Sequence, residues 1–316
     1  MMTRRFWFLF FLVFLILLSL PLWGSSFYMF LVTEIIALSL FAMSFDLIYG
    51  FTGMLSLGHA TFFGTGSYIF TLSILHWQSN LWVSLLLAII GSAIIAWVIG
   101  FFAVRARGTN FIVITIIFSL VIFYLSFYYK SITGGDDGLP LKVPDLGLGF
   151  LSISIHDNPM ANYYLVLAIV SLCYLFYWRL IASPMGRLFL AIKSNEERTQ
   201  YIGFNTLKYR LISFVISGAF SGLSGALYSM TTHYTNNKLL HWTTSVDVVV
   251  WTIVGGAGTL IGPIMGAWIF TFFREFISFH FKQYPIVIGM VLIFFIIFVP
   301  QGILGYLLGL IRRERK

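Results

Sequence analysis

Apolar stretches close to 20 residues long recur along this chain with almost no charge inside them, and that pattern leaves little freedom of architecture. A helix of about 20 residues spans the ~30 Å hydrocarbon core of a bilayer. The chain is 59% apolar and only 9% charged, with a mean hydropathy of +0.93. Soluble domains carry about 25% charged residues, so these charges are too few to cover a water-facing surface. The expected fold class is therefore all-α, a polytopic membrane helical bundle. No linker or low-complexity tract divides it, so residues 1–316 read as a single transmembrane domain.

The net charge of +8 does not point to nucleic acid. The cations are scattered between apolar stretches instead of forming one basic face, the pattern that loops under the positive-inside rule produce. The single cysteine, Cys173, lies in an apolar stretch, which excludes an intrachain disulfide or a cysteine-based metal site. No metal site is expected. Arg4 and Arg5 followed by Phe6–Leu22 resemble a signal peptide, but the apolar stretch is long, lacks a clear cleavage site and meets another span at once. It reads as a retained first helix.

Helices are expected at about Phe6–Leu22, Phe27–Tyr49, Leu81–Val104, Asn110–Tyr129, Asn162–Trp178, Tyr209–Thr231 and Tyr284–Leu310. His59–Leu75 is short and rich in Gly, Ser and Thr. Val246–Phe281 is too long for one crossing and short for two, with an interruption at Gly255-Gly256-Ala257-Gly258. If it crosses twice, the cations at 4, 5, 105, 107, 179, 187, 193, 198, 208, 210, 312, 313, 315 and 316 share one side. Only 130, 142, 238, 274 and 282 then lie opposite. A single crossing weakens that asymmetry, so the expectation is about ten transmembrane helices, some short or broken, with both termini cytoplasmic.

Two loops carry the remaining signal. About 130–160 is glycine-rich and acidic and falls outside, on the periplasmic face. About 179–210 is basic and falls inside. Ser183-Pro184 suits a capped helix start, Ser194-Asn195-Glu196-Glu197 reads as a capping box with Ser194 and Glu197 as its pair, and Gly203 sits where a C-terminal glycine belongs. The inner loop thus reads as two short helices, about Met185–Ile192 and Asn195–Ile202, forming a docking surface.

The run Gly186-Arg187-Leu188-Phe189-Leu190-Ala191-Ile192-Lys193-Ser194-Asn195-Glu196-Glu197-Arg198, followed by Ile202-Gly203-Phe204-Asn205, resembles the signature loop of LivM-type permeases of bacterial branched-chain amino-acid importers. The stretches Gly50–Ala60, Ser217–Leu227 and Gly255–Pro263 resemble further motifs of that family, in the same order. The chain departs from the usual pattern at Thr52, Met54 and Thr199. The resemblance implies a subunit that moves leucine, isoleucine or valine across the inner membrane. The implied partners are a homologous second permease, two ATP-binding subunits, a periplasmic substrate-binding protein and the lipid bilayer. ATP would be used by partner subunits and no cofactor bound by this chain. It also implies that Gly186, Arg187, Ala191, Lys193, Asn195, Glu196, Glu197, Arg198 and Gly203 couple the chain to an ATPase, with the charges of Arg187, Lys193 and Arg198 offered to an acidic groove.

A zwitterion needs a polar or small-residue route. The candidates are Ser56, Gly58, His59 and Thr61, the glycine break at Gly255, Gly256 and Gly258, and Glu34, which should face the bundle. A hydrogen-bonded structural role for His59 ranks ahead of substrate contact. Asp46 and Asp247 read as caps near helix ends. Gly218, Gly222, Gly225 and Ala226 form a small-residue stripe that suits either internal packing or a subunit interface.

No phosphate-loop pattern is present, so energy comes from a partner or from an ion gradient. An ion-coupled transporter, a permease for urea, amides or other small solutes, and a rhomboid-like reading of Gly222-Leu223-Ser224-Gly225 remain as alternatives.

Overall fold

The computed structural model describes residues 15–21, 25–148, 151–156, 158–280, 286, 289–290 and 302–306. The expected final helix, the basic tail at 312–316 and Asp157 lie wholly or largely outside the described residues. Of the expected first helix, residues 15–21 are described and are helical. Tyr163 and Tyr164 donate their hydroxyls to the carbonyls of Leu17 (2.6 Å) and Leu18 (3.1 Å), fastening this segment to the bundle.

Helix α1 covers Ser26–Asp46 and continues into a π-helical turn, Leu47–Phe51. Then come α2 (Ala60–Trp77), α3 (Leu81–Ala103), α4 (Thr109–Tyr128) and α5 (Pro159–Ala182). The inner loop holds α6 (Pro184–Ser194) and α7 (Glu196–Tyr201), followed by the long α8 (Thr206–Thr232). The ambiguous stretch after residue 240 resolves into two helices, α9 (Trp242–Gly255) and α10 (Ile261–His280), split at the expected glycine break. Five described helices are long and apolar enough to cross a membrane: α1 with its π turn, α3, α4, α5 and α8. The bundle is all-α apart from two small antiparallel pairs, which sequence periodicity did not foretell. Strand β1 (Leu139–Pro140) pairs with β4 (Tyr234–Thr235), and β2 (Leu146–Leu148) pairs with β3 (Leu151–Ile153).

Burial separates the helices into an inside and an outside. The apolar stretch of α1 is 100% buried, whereas those of α4 and α3 are 22% and 33% buried. One flank of α1 sends Leu40, Met43 and Leu47 into a cluster with Tyr163, Tyr177 and Phe189; another sends Phe41, Phe45 and Ile48 among Phe62, Phe63, Phe214 and Trp251. A helix wrapped on all sides has no amphipathic stripe, and it can carry Glu34, Ser39, Ser44 and Asp46 because protein, not lipid, surrounds them.

Helix α8 packs against α1, α2 and α3 through its small residues. A side chain at Gly218 would strike Ala96, one at Gly222 would strike Ser92, and one at Gly225 would strike the carbonyl of Phe63. Ala226 is buried on the same helix. The stripe is therefore filled from within the chain. Lipid tails are as apolar as leucine, so close approach and interhelical hydrogen bonds hold such contacts, at an average of about 0.6 kcal/mol per bond. Ser224 Oγ donates to Ala37 O at 2.6 Å, and Ser245 Oγ accepts from the Ala60 amide at 2.7 Å.

Candidate functional site

The inner elbow folds as two short helices with local caps. Ser183 Oγ accepts from the Gly186 amide, and Pro184 occupies the first turn of α6, where a missing N–H costs nothing. The cap of α7 differs from the expected capping box. Asn195 is the cap, its Oδ1 accepting from the Arg198 amide at 2.9 Å, while Ser194 Oγ bonds back to Leu190 O inside α6. Asn195 has left the helical conformation (φ −162°), so its side chain, not that of Ser194, reaches the free amides. Gly203 ends the elbow at φ +98°, a conformation in which side chains are strained.

Glu196 points inward. Its carboxylate meets Arg210 Nη1 at 3.3 Å, Arg107 Nε at 3.3 Å and the Thr206 hydroxyl at 3.0 Å. Arg210 is buried, donates Nη2 to Ala106 O at 2.8 Å and sets Nε against Met54 Sδ at 3.3 Å. One carboxylate thus ties α7 to the base of α8 and to the turn between α3 and α4. Gly186 is also inward, its α-carbon pressed on the backbone of Ile181. Arg187, Ala191, Glu197 and Arg198 are exposed, joined by Leu190, Tyr201 at 89% and Ile202 at 70% exposure.

Lys193 also turns toward the bundle, where its ammonium donates to the carbonyl of Gly50 in the π turn. Next to that carbonyl, the buried Asp46 receives the amides of Gly258 (2.7 Å) and Leu260 (3.0 Å). Asp46 is therefore a cap, but of the glycine break and not of its own helix.

The remaining pathway candidates are enclosed. His59 Nε2 lies 3.1 Å from Ser44 Oγ and 3.4 Å from Ser217 Oγ, with Phe41 stacked on its ring and Phe45 and Phe62 set edge-on. Ser56 Oγ accepts from the Gly58 amide, and Gly58 abuts the Thr115 backbone. Thr61 is fully buried. Gly255 and Gly256 close the α9–α10 turn against Gly262. Glu34, in the half of α1 remote from Asp46, pairs with Arg274 of α10 at 3.8 Å. Twelve residues separate the two acids, about 18 Å along the helix. Among the described residues, no group of three or more His, Cys, Asp or Glu side chains could hold a metal ion.

Comparison with known proteins matches this chain to one family. The model described as "Branched-chain amino acid transport system / permease component" covers residues 27–299. The chain belongs to the branched-chain amino-acid transport permease family. Among its relatives, LivM of Salmonella typhimurium is 26% identical over 282 residues, 83% of this chain and 66% of the relative. LivM of Methanocaldococcus jannaschii is 31% identical over 193 residues, 58% of this chain and 53% of the relative. LivH of Salmonella typhimurium is 23% identical over 84% of this chain and 91% of the relative. The chain thus spans just under two thirds of the length of the enteric LivM proteins. No solved structure matches it.

Sequence reasoning missed several residues in this permease. Arg210 and Arg107 read as loop cations, yet they form the socket for Glu196. Ser67, Thr71, Ser229 and Thr235 join α2, α8 and β4 in a buried hydroxyl cluster, with Ser67–Thr235 at 3.0 Å and Thr71–Thr235 at 2.7 Å. The available signal was the density of hydroxyl residues in an otherwise apolar α2, which a lipid-facing helix would not carry. In this permease polar contacts also gather at two ends: residues 104–108, 183–210 and 256–260 meet at one end. At the other, Asn237 donates to Asp136 at 3.0 Å and Tyr234 to the carbonyl of Asp137.

Proposed function

We propose that this chain is one permease subunit of an ATP-binding-cassette importer that carries branched-chain amino acids across a bacterial inner membrane. The observation that carries the reading is the two-sided elbow at 183–208. Its inner side is bolted to the bundle through Glu196 and Lys193. Its outer side leaves Arg187, Leu190, Arg198, Tyr201 and Ile202 uncovered among the described residues. Exposed aromatic, aliphatic and arginine side chains on a rigid base suit a protein partner. An ATP-binding subunit is the partner that supplies what the chain lacks, a phosphate loop. A homologous second permease, a second ATPase and a periplasmic binding protein complete the assembly; that Salmonella typhimurium holds two related permease proteins of such a system, LivM and LivH, supports the second permease.

The same reading places the elbow in the cytoplasm, with ten crossings and both termini inside. Contacts support it: the turn at 256–260 lies beside Lys193 at the elbow's end, and Arg274 returns beside Glu34 in the other half, as two crossings require. Glu34 would be the deep carboxylate of an ion-coupled transporter, and its pairing with Arg274 favours a structural part instead.

The deciding experiment is leucine uptake into proteoliposomes that hold the permease pair, ATPase subunits and ATP inside and binding protein outside. Uptake should require ATP, survive a proton ionophore and be competed by isoleucine and valine. Uptake that ignores ATP and collapses with the ionophore would remove the importer reading; competition by urea or amides alone would change the cargo.

A further inference from the structure

Three sequence motifs far apart in the chain converge on Asp46. The π turn Leu47–Phe51 follows it directly, and Gly50 is packed so tightly that a side chain there would overlap the Asp46 carboxylate and the Gly258 amide. Gly53, at φ +81°, accommodates the stem of Lys193: a β-carbon at position 53 would sit 3.1 Å from Lys193 Cγ. The ammonium ends on Gly50 O, in the π turn that follows Asp46 directly. A β-carbon at Gly258 would in turn sit 3.0 Å from Gly50 O and 3.8 Å from Lys193 Nζ. Asp46 itself is fully buried and holds Gly258 and Leu260 through both carboxylate oxygens.

We propose that Lys193 and Asp46 are positioning residues that form one mechanical latch, passing movement of the inner elbow to the glycine break between α9 and α10. The stack has no slack. Lys193 is the last long side chain of α6, it bears on the π turn, and the π turn bears on the break through Asp46. A π turn is a natural joint, because its wider ring disrupts the ordinary helical ladder and is found at functional sites. Gly256 and Gly258, at φ +116° and +81°, and Leu260, at φ +60°, hold a backbone that side chains rarely adopt. Two amides clamped on one carboxylate keep that backbone in place. Displacement of α6 pulls the lysine from Gly50 O, unloads the π turn beside Asp46 and frees the break to rearrange. Lys193 thereby acts from the inner side of the elbow, apart from the uncovered side chains on its outer side.

The latch rests on the importer reading for its purpose, but its mechanics can be tested without it. In the isolated chain in detergent, amide hydrogen exchange over 255–262 should rise about tenfold in Lys193→Met and further in Asp46→Asn. It should stay unchanged in Lys142→Met, which lies at the opposite end. Unchanged exchange in Lys193→Met overturns the latch, whatever the chain transports. In the reconstituted complex, Lys193→Met should keep its ATPase subunits and hydrolyse ATP, while leucine delivered per ATP falls about tenfold; Lys193→Arg should recover most of it. A wild-type ratio in Lys193→Met overturns the proposal, as does loss of the ATPase subunits on purification, which would make Lys193 a docking contact only. Wild-type complex without ATP-driven uptake counts against the importer reading and leaves the exchange result to decide the latch.

Discussion

Arg210 lies 3.3 Å from the carboxylate of Glu196, fourteen residues before it, and is buried where that carboxylate is its main counter-charge. A guanidinium left in such a place without its partner is costly, since a hydrogen bond to a charged group contributes about 1.5–3 kcal/mol. Glu196→Ala should therefore lower the thermal midpoint of the chain in detergent, and Arg210→Met in the same chain should restore part of it. The exposed Arg107, whose side chain is 54% accessible, should matter far less, about 0.2–1 kcal/mol. Equal losses for Glu196→Ala and Arg107→Ala would contradict this division.

The uncovered side of the elbow makes the opposite prediction. Tyr201→Ala and Arg187→Glu should leave the thermal midpoint of the isolated chain where it is. Affinity for the ATPase subunits should drop tenfold or more, about 1.4 kcal/mol, as expected when an aromatic or arginine anchor of an interface is lost. Co-purification at wild-type yield would show that this surface docks nothing.

Three glycines separate packing from backbone strain. Gly225→Ala drives a methyl group into the Phe63 carbonyl, and overpacking of this kind costs about 1–3 kcal/mol or more. Gly222→Ala drives its methyl group to 2.3 Å from Ser92 Cβ, an atom that no turn of the side chain moves, so helices must separate there too and the cost should be comparable. Gly203→Ala meets no atom within 4 Å, yet its φ of +98° should make it cost about 1–2 kcal/mol. A thermal midpoint lowered least by Gly203→Ala and more by both Gly222→Ala and Gly225→Ala is the expected result.

His59 sits in an aromatic enclosure with two serine hydroxyls at its Nε2, and nothing about it is open to a passing solute. His59→Phe should reduce stability through the lost hydrogen bonds while leaving the KM for leucine unchanged in proteoliposomes. A KM raised tenfold with stability intact would assign the histidine to the pathway.

Glu34 and Arg274 face each other within the bundle. An uncompensated charge at membrane depth costs about 2.5–3.5 kcal/mol on insertion scales. Glu34→Gln should thus lower the yield of folded protein in the membrane, and Arg274→Met added to it should recover that yield. No recovery would mean that Glu34 serves something other than its partner arginine.

The membrane class, the helices of the outer shell and the four family motifs were legible in the chain itself. Each depends on local quantities: the length of an apolar stretch, a proline after a serine, a glycine where φ turns positive. The two-helix elbow was legible too, although the cap shifted from Ser194 to Asn195, a choice of one residue that depends on where the backbone leaves the helix. What the linear order could not reveal is direction. Lys193 and Glu196 look like Arg187 and Arg198 in a row of charges, and only the packing of α6 and α7 turns the first two inward. Asp46 and Gly258 are more than 200 positions apart, and no periodicity links them. Their contact exists because α1 is enclosed on every side from Leu31 onward, which lets a buried carboxylate find backbone amides in place of water. Composition decided that this chain lives in a bilayer; the burial of α1 decided which of its few charges hold it together.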